Sequence, residues 1–195
     1  LNLIMKEIDA ERLSYLVTGH GISKIKPGIS EHKGKGFTYI GELTGKNSKR
    51  IKDICDELNL SGIECDIVEN IEEYVWLKTI INSAINPVAT LAEVRNGELK
   101  KPGLKDDVMN ICIESKKIAE RNGIVLPLDP WKEINSIIEK TSENKCSMLQ
   151  DLENGQKTEI DAINGEIIRI AKKLSIIPTY NKQVVSEIER LSVNA

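Results

Sequence analysis

VWLKTIINSAIN, residues 75–86, is the segment around which the rest of this chain is arranged, and Pro87 follows it directly. Read as a helix at 100° per residue, its apolar side chains cover one broad arc, while Lys78, Asn82 and Asn86 lie four residues apart on the other side. Asn costs roughly half a kcal/mol relative to Ala in a helix interior, so two of them on one stripe with a single lysine require an explanation. Either the stripe is the wall of a pocket for an oxygen-rich small molecule, or its asparagines bond neighbouring backbone.

Pro87 bears on where this helix stops. Proline disfavours the α conformation in the residue before it, so the sequence predicts a helix end at Asn86. Pockets are often built at helix ends, and this placement favours a binding role for the Asn86 side chain.

The segments on either side of this helix differ in pattern. Up to residue 70 the apolar residues are spaced as in short strands with one helix among them, and from residue 72 they are spaced as in helices. The predicted elements are strands at residues 12–18, 37–43 and 63–68, a turn-rich segment at 22–35, a helix at 48–60 with Ser48 as its N-cap, and a long helix from 102 to 122 closed by Gly123. The shift predicts two domains, residues 1–70 and residues 71–195.

Composition excludes several classes of function. The 195 residues are 40% hydrophobic and carry a net charge of −3, which provides no basic surface for nucleic acid. No apolar run approaches the roughly 20 residues that a membrane span needs, and no signal-peptide pattern is present, so we expect a cytoplasmic protein with no membrane partner. Four cysteines without C-x-x-C spacing and two histidines predict no metal site. The one G-x-G, at residues 34–36, lacks the third glycine and the helix of a dinucleotide fingerprint.

A second polar cluster occupies residues 145–161, KCSMLQDLENGQKTEID. Thr158 and Asp161 have the spacing of a capping box, which would place Glu159 in the first turn of the next helix, where the helix dipole favours its ionised form. Glu159 is then either a site residue or an ordinary acidic first-turn residue. Ser147 has no histidine and aspartate at a meaningful spacing, so a serine-hydrolase triad is not supported.

Four motifs carry a family resemblance when they are taken together. They are K-x3-N-x3-N-P at residues 78–87, N-G-E-L at 96–99, S-M-L-Q-D at 147–151 and T-E-I-D-x-I-N-G at 158–165. V-T-G-H and Y-I-G-E before residue 45, and a tail in which Ile176 or Ile177 is followed by Pro178 and Asn181, fit the same order. In order and spacing the chain resembles the ketopantoate reductase (2-dehydropantoate 2-reductase) family over essentially its whole length.

The resemblance implies a fold class of α/β plus all-α. Residues 1–70 would be the last strands of an NADP-binding Rossmann-type sheet, and residues 71–195 a helical substrate-binding and catalytic domain like the C-terminal domain of 6-phosphogluconate dehydrogenase. It also implies NADPH as the cofactor, with NADH as the alternative, and a small keto acid as the substrate. The reaction would be the reduction of 2-dehydropantoate to (R)-pantoate in pantothenate and coenzyme A biosynthesis. The amphipathic surface of the helical part is sufficient for a homodimer.

Residue roles follow from the same resemblance. Lys78 would be the general acid that protonates the carbonyl oxygen, helped by partial desolvation that lowers its pKa. The amides of Asn82, Asn86 and Asn96 would hydrogen-bond the substrate's hydroxyl, carboxylate and keto groups, and Ser147 would hold the carboxylate. Glu159 would accept from the substrate hydroxyl or the cofactor ribose and help to anchor Lys78.

Two departures from the family pattern are visible. The family's N-terminal strand and G-x-G-x-x-G do not occur in this sequence, which begins at Leu1, so we expect a fragment that is inactive alone. Cys146 also stands where the family often has serine, directly beside Ser147.

Two other interpretations stay open. One is a related β-hydroxyacid or glycerol-3-phosphate-type dehydrogenase, which also places a lysine and an asparagine four apart on a helix. The other is a non-enzymatic helical assembly or regulatory module that uses its charged faces for pairing.

Overall fold

The computed structural model describes residues 4–194, which form a small sheet region followed by a helical region. The chain divides into two compact units, Leu1–Val75 and Trp76–Ala195, so that the division falls inside one long helix. This architecture confirms the predicted fold class of a small sheet followed by a helical domain.

Five strands lie in the first unit. They are β1 (Ser14–Thr18), β2 (Gly21–Lys26), β3 (Ile29–Gly34), β4 (Thr38–Glu42) and β5 (Asp66–Ile67). In the main sheet β4 lies between β1 and β5, antiparallel to β1 and parallel to β5. Strands β2 and β3 form a separate antiparallel hairpin.

The hairpin corrects one prediction, since residues 22–35 were expected to be a turn-rich segment. Gly28, with φ of +80°, makes the turn between β2 and β3, as its position after Pro27 suggests. Ile22, Ile25 and Ile29 on these strands are exposed. Because these apolar side chains are not buried in a core, no alternation of apolar and polar residues marks the strands in the sequence.

Helix α1 (Lys49–Leu60) packs on this sheet and begins where the sequence predicted. The Ser48 side chain accepts a hydrogen bond from the Ile51 amide at 3.4 Å, as expected of an N-cap. Ile51 and Cys55 on its inner face are buried together with Ile40 of β4. The predicted strand at residues 63–68 is reduced to the two residues of β5.

Helix α2 (Ile71–Leu91) contains the segment that organises the chain, and it does not end at Asn86. It continues through Pro87 for another turn, so the predicted helix end is wrong. A proline inside a helix removes the hydrogen bond to the carbonyl four residues earlier, here that of Ser83. That carbonyl instead accepts a hydrogen bond from Nδ2 of Asn164 at 3.0 Å, a replacement that the local sequence could not reveal.

The second unit is a bundle built around the apolar face of α2. Its other helices are α3 (Leu104–Arg121), α4 (Pro130–Lys140), α5 (Ser147–Glu153), α6 (Glu166–Lys173) and α7 (Thr179–Asn194), with a 3-10 turn at Asn96–Lys100 and a π-helical turn at Asp161–Gly165. The end of α3 at Asn122, followed by Gly123 with φ of +84°, confirms the predicted C-terminal cap. Among the helices of residues 4–194, none has the length and hydropathy to span a bilayer.

Candidate functional site

Lys78 lies half-buried on α2, directly after the buried Trp76 and Leu77 with which the apolar face begins. Burial lowers the pKa of its ammonium group below the ordinary lysine value, because the charged form loses hydration. The negative charge of Glu159 opposes this and raises the same pKa. The structure therefore brings Lys78 and Glu159 into electrostatic contact, although they are eighty-one positions apart.

Asn82 and Asn86 follow Lys78 along one stripe of α2. Asn82 is half-buried, while Asn86 is 6% exposed. Among residues 4–194, no side chain hydrogen-bonds either amide, whereas the Asn86 backbone carbonyl accepts from Thr90 Oγ1 at 2.7 Å. The two carboxamides thus keep their hydrogen-bonding capacity for a ligand.

Asn96 is oriented by Thr141, a residue that the sequence did not single out. The Thr141 hydroxyl donates to the Ile137 carbonyl at 2.7 Å, so towards Asn96 its oxygen can only accept. Nδ2 of Asn96 donates to it at 2.9 Å, which fixes which end of the amide faces Thr141. The opposite atom, Oδ1, is buried and has no partner within residues 4–194. Asn96 therefore presents a hydrogen-bond acceptor that the protein leaves unused.

The loop that joins α4 to α5 contacts Asn96 and leads to Ser147. The backbone N–H of Asn96 donates to the Asn144 carbonyl at 3.0 Å, and the backbone N–H of Gly97 donates to the Ser142 carbonyl. These two bonds hold the 3-10 turn against the loop. A Cβ on Gly97 would lie 2.9 Å from that of Ser142, and the approach therefore requires glycine.

Ser147 is the exposed first residue of α5, and Cys146 before it is the buried N-cap. The Cys146 thiol accepts from the Leu149 amide at 3.4 Å and donates to the Asn86 carbonyl at 3.5 Å. Burial raises the pKa of this thiol, so it stays protonated and acts as a capping group. The cysteine thus takes the structural role of a serine N-cap and links α5 to α2 at the Asn86 carbonyl.

Glu159 lies just before the helical turn and not within it. The helical backbone begins at Ile160, and the Asp161 carboxylate pairs with Arg169 at 2.9 Å. The capping box predicted on Thr158 and Asp161 is therefore wrong, because the Asp161 carboxylate is bound by Arg169 of α6. Glu159 remains exposed and free to meet a ligand beside Lys78.

The structure thus links five of the six predicted residues in two groups. Glu159 and Lys78 form one, through their charges. Asn86, Asn96 and Ser147 form the other through the loop that precedes α5, since Cys146 contacts Asn86 and the loop residues contact Asn96. Asn82 lies between the two on α2.

A nicotinamide cofactor would find one suitable group in this set. The exposed Glu159 carboxylate can accept from a ribose hydroxyl. Residues 34–36 do not suit the phosphates: a Cβ on Gly36 would lie 2.2 Å from the Gly19 carbonyl, so this glycine serves the chain's own packing. Within residues 4–194 no group of three or more histidine, cysteine or acidic side chains could hold a metal ion.

Comparison with known proteins gives these residues a family context. The profile of the family described as "Ketopantoate reductase PanE/ApbA C terminal" matches residues 70–192. The 2-dehydropantoate 2-reductase of Pyrococcus horikoshii is 38% identical over 169 residues, which are 85% of this chain and 55% of that protein. The chain thus spans about half the length of the curated relatives it matches.

Solved structures agree with this match. A D-mandelate dehydrogenase in ternary complex with NADH and anilino(oxo)acetate superimposes with a TM-score of 0.91 at 25% identity, over 99% of this chain and 64% of that one. The 2-dehydropantoate 2-reductase of Methylococcus capsulatus gives a TM-score of 0.81 at 25% identity, over 93% of this chain and 63% of that one.

Proposed function

Because this chain belongs to the ketopantoate reductase C-terminal family, we propose that the protein carrying it reduces 2-dehydropantoate to (R)-pantoate with NADPH. Such a reaction would serve pantothenate and coenzyme A biosynthesis. The observation that carries the proposal is the half-buried Lys78, with a lowered pKa, at the head of a stripe that continues with Asn82 and Asn86.

Lys78 supplies the proton in this proposal. As the carbonyl carbon accepts a hydride, negative charge develops on its oxygen, and an ammonium group beside it both stabilises that charge and transfers a proton. Partial burial lowers the Lys78 pKa, which makes proton donation easier than from an exposed lysine. The Glu159 carboxylate moderates this effect, so that the lysine stays protonated over a wider pH range.

The remaining residues orient the substrate. Asn96 offers an unpaired acceptor, Oδ1, which suits a substrate hydroxyl and not a carboxylate. The amides of Asn82 and Asn86 can donate to the keto and carboxylate oxygens, and the exposed Ser147 hydroxyl can donate to the carboxylate. Glu159 accepts from a hydroxyl of the substrate or of the cofactor ribose. A bound reduced nicotinamide supplies the hydride, and the domain roles assigned to residues 1–70 and 71–195 belong to the same proposal.

Reduction of another 2-keto acid is the second candidate. It is favoured by the likeness to a D-mandelate dehydrogenase that was solved with NADH and an oxoacetate ligand. The lysine and asparagine stripe recognises the keto acid unit, whereas the acceptor of Asn96 distinguishes a substrate that also carries a hydroxyl.

The test is the oxidation of NADPH and of NADH by the full-length protein with a panel of keto acids. We expect 2-dehydropantoate to give the highest kcat/KM, and an analogue without its hydroxyl to be markedly poorer. Preference for an aromatic or unsubstituted 2-keto acid would establish the second candidate in its place. Absence of turnover with every keto acid would contradict both.

A further inference from the structure

Helix α2 has a buried defect in the segment that carries the second half of its polar stripe. Pro87 has no amide hydrogen to donate to the Ser83 carbonyl, and its ring pushes against that carbonyl. Ser83 is fully buried, so water cannot take the place of the missing donor. The defect spans residues 83–87, a segment that begins directly after Asn82 and contains Asn86.

Asn164 supplies the missing donor from another part of the chain. Its Nδ2 lies 3.0 Å from the Ser83 carbonyl, and the residue is fully buried in the π-helical turn Asp161–Gly165. The same turn follows Glu159, whose charge acts on Lys78. One short segment therefore hydrogen-bonds α2 at Ser83 and acts by charge on Lys78, and π-helical turns of this kind are frequent at functional sites.

A chain of hydrogen bonds fixes the orientation of the Asn164 amide. The Glu114 carboxylate can only accept, and it accepts from Nδ2 of Asn181 at 2.9 Å, which turns Oδ1 of Asn181 towards Asn164. Nδ2 of Asn164 donates to that oxygen at 3.0 Å as well as to the Ser83 carbonyl. Both hydrogens of the Asn164 amide are thereby used, and the amide cannot be reversed without losing both bonds.

We propose that Asn164 is a positioning residue for the substrate-binding stripe: its amide replaces the backbone donor that Pro87 lacks and fixes the direction of Asn86 relative to Asn82 and Lys78. The inference rests on the proposed function, since it assigns the stripe to the substrate. Asn164 itself is buried behind α2 and touches no reacting atom. Its effect on activity is transmitted through the backbone of α2 between Ser83 and Pro87.

A double-mutant cycle on the full-length protein tests the helix contact without reference to activity. Pro87→Ala restores an amide hydrogen that can donate to the Ser83 carbonyl. We expect Asn164→Ala to reduce the equilibrium constant for folding in both backgrounds. The reduction should be about tenfold smaller in the Pro87→Ala background, because only there does the Ser83 carbonyl keep a donor. Asn59→Ala, which removes hydrogen bonds to Cys55 and Cys65 and leaves the Asn164 network untouched, is the matched control and should cost the same in both backgrounds.

Kinetics then test the positioning claim. Asn164→Ala should raise the KM for the keto acid about tenfold while the KM for the nicotinamide cofactor stays unchanged, because Asn86 binds the substrate. A purely structural role would lower the active fraction, and hence the apparent kcat, without changing either KM.

The outcomes separate cleanly. Equal costs of Asn164→Ala in both backgrounds would overturn the claim that it replaces the donor, and an unchanged keto acid KM would overturn the claim that it positions the stripe. If Asn164→Ala alone does not fold, recovery of folded protein on adding Pro87→Ala supports the proposal and its absence contradicts it. A wild-type protein that reduces no keto acid would refute the proposed function, while the folding cycle would still decide the role of Asn164.

Discussion

Replacing Thr141 with valine should weaken substrate binding although Thr141 itself is predicted to touch no substrate. Valine has nearly the same shape but cannot accept the hydrogen bond that Nδ2 of Asn96 donates at 2.9 Å. Asn96 is 6% exposed, so its amide nitrogen would be left without a partner. A buried donor without a partner costs about 1–3 kcal/mol. Rotation by half a turn would move this nitrogen to the position where Oδ1 has no protein partner, and would so replace the acceptor that we propose for the substrate hydroxyl with a donor.

The size of the loss in kcat/KM follows from these two orientations of the Asn96 amide. Either outcome costs about 1–3 kcal/mol, and at about 1.4 kcal/mol per decade this is roughly a fivefold to hundredfold loss. We therefore expect Thr141→Val to lower kcat/KM for the hydroxyl-bearing keto acid by about that range, measured by NADPH oxidation on the full-length protein. An analogue that lacks the hydroxyl should be affected much less.

Thr44→Val, at an exposed turn, is the control and should leave kcat/KM unchanged. Urea unfolding of both variants separates loss of stability from loss of binding. Equal losses of kcat/KM for the two substrates, or no loss for either, would refute the assignment of Asn96 as a hydroxyl acceptor oriented by Thr141.

Three further predictions concern charge and packing. Glu159→Gln removes the charge that raises the Lys78 pKa, so the alkaline limb of the pH–kcat/KM profile should move to lower pH; an unmoved limb would disprove the contact. Ile80→Ala, at a fully buried position of α2, should lower the free energy of unfolding in urea by about 2–5 kcal/mol. The exposed Ile113→Ala should lower it by under about 1 kcal/mol. Similar losses in the two variants would contradict the packing described for α2. Hydrogen bonding to a guanidinium lowers the Glu42 pKa, so its stabilisation is present above the ordinary glutamate pKa and is lost as pH falls through the folded value. In Glu42→Gln the free energy of unfolding should therefore fall less steeply as the pH is lowered. An unchanged pH dependence would contradict the role of Glu42.

Local patterns in the sequence predicted the elements whose signals are themselves local. Ser48 caps α1 because a serine oxygen can reach the amide three residues on, and Gly123 follows α3 because glycine adopts positive φ readily. The stripe of Lys78, Asn82 and Asn86 depends only on helical spacing, which the structure keeps.

The features that the sequence did not predict depend on distant partners. The expected end of α2 at Asn86 was wrong because the defect at Pro87 is repaired from Asn164, seventy-seven positions later. Thr141 was overlooked because its role exists only through Asn96, which is brought to it by the folding of the loop after α4. A proline in the middle of an apolar helical run was itself a signal, since it implies a carbonyl in need of a donor.

The proposed mechanism depends most directly on the proton supplied by Lys78. The decisive measurement is kcat/KM for 2-dehydropantoate in the full-length protein, comparing wild type with Lys78→Ala and with Lys172→Ala, an exposed lysine on α6. We predict that Lys78→Ala loses roughly two to four decades of activity, as is typical for a general acid, while retaining wild-type stability. Lys172→Ala should match wild type. If Lys78→Ala stays within a few-fold of wild type, the general acid is another group and the proposed mechanism is wrong.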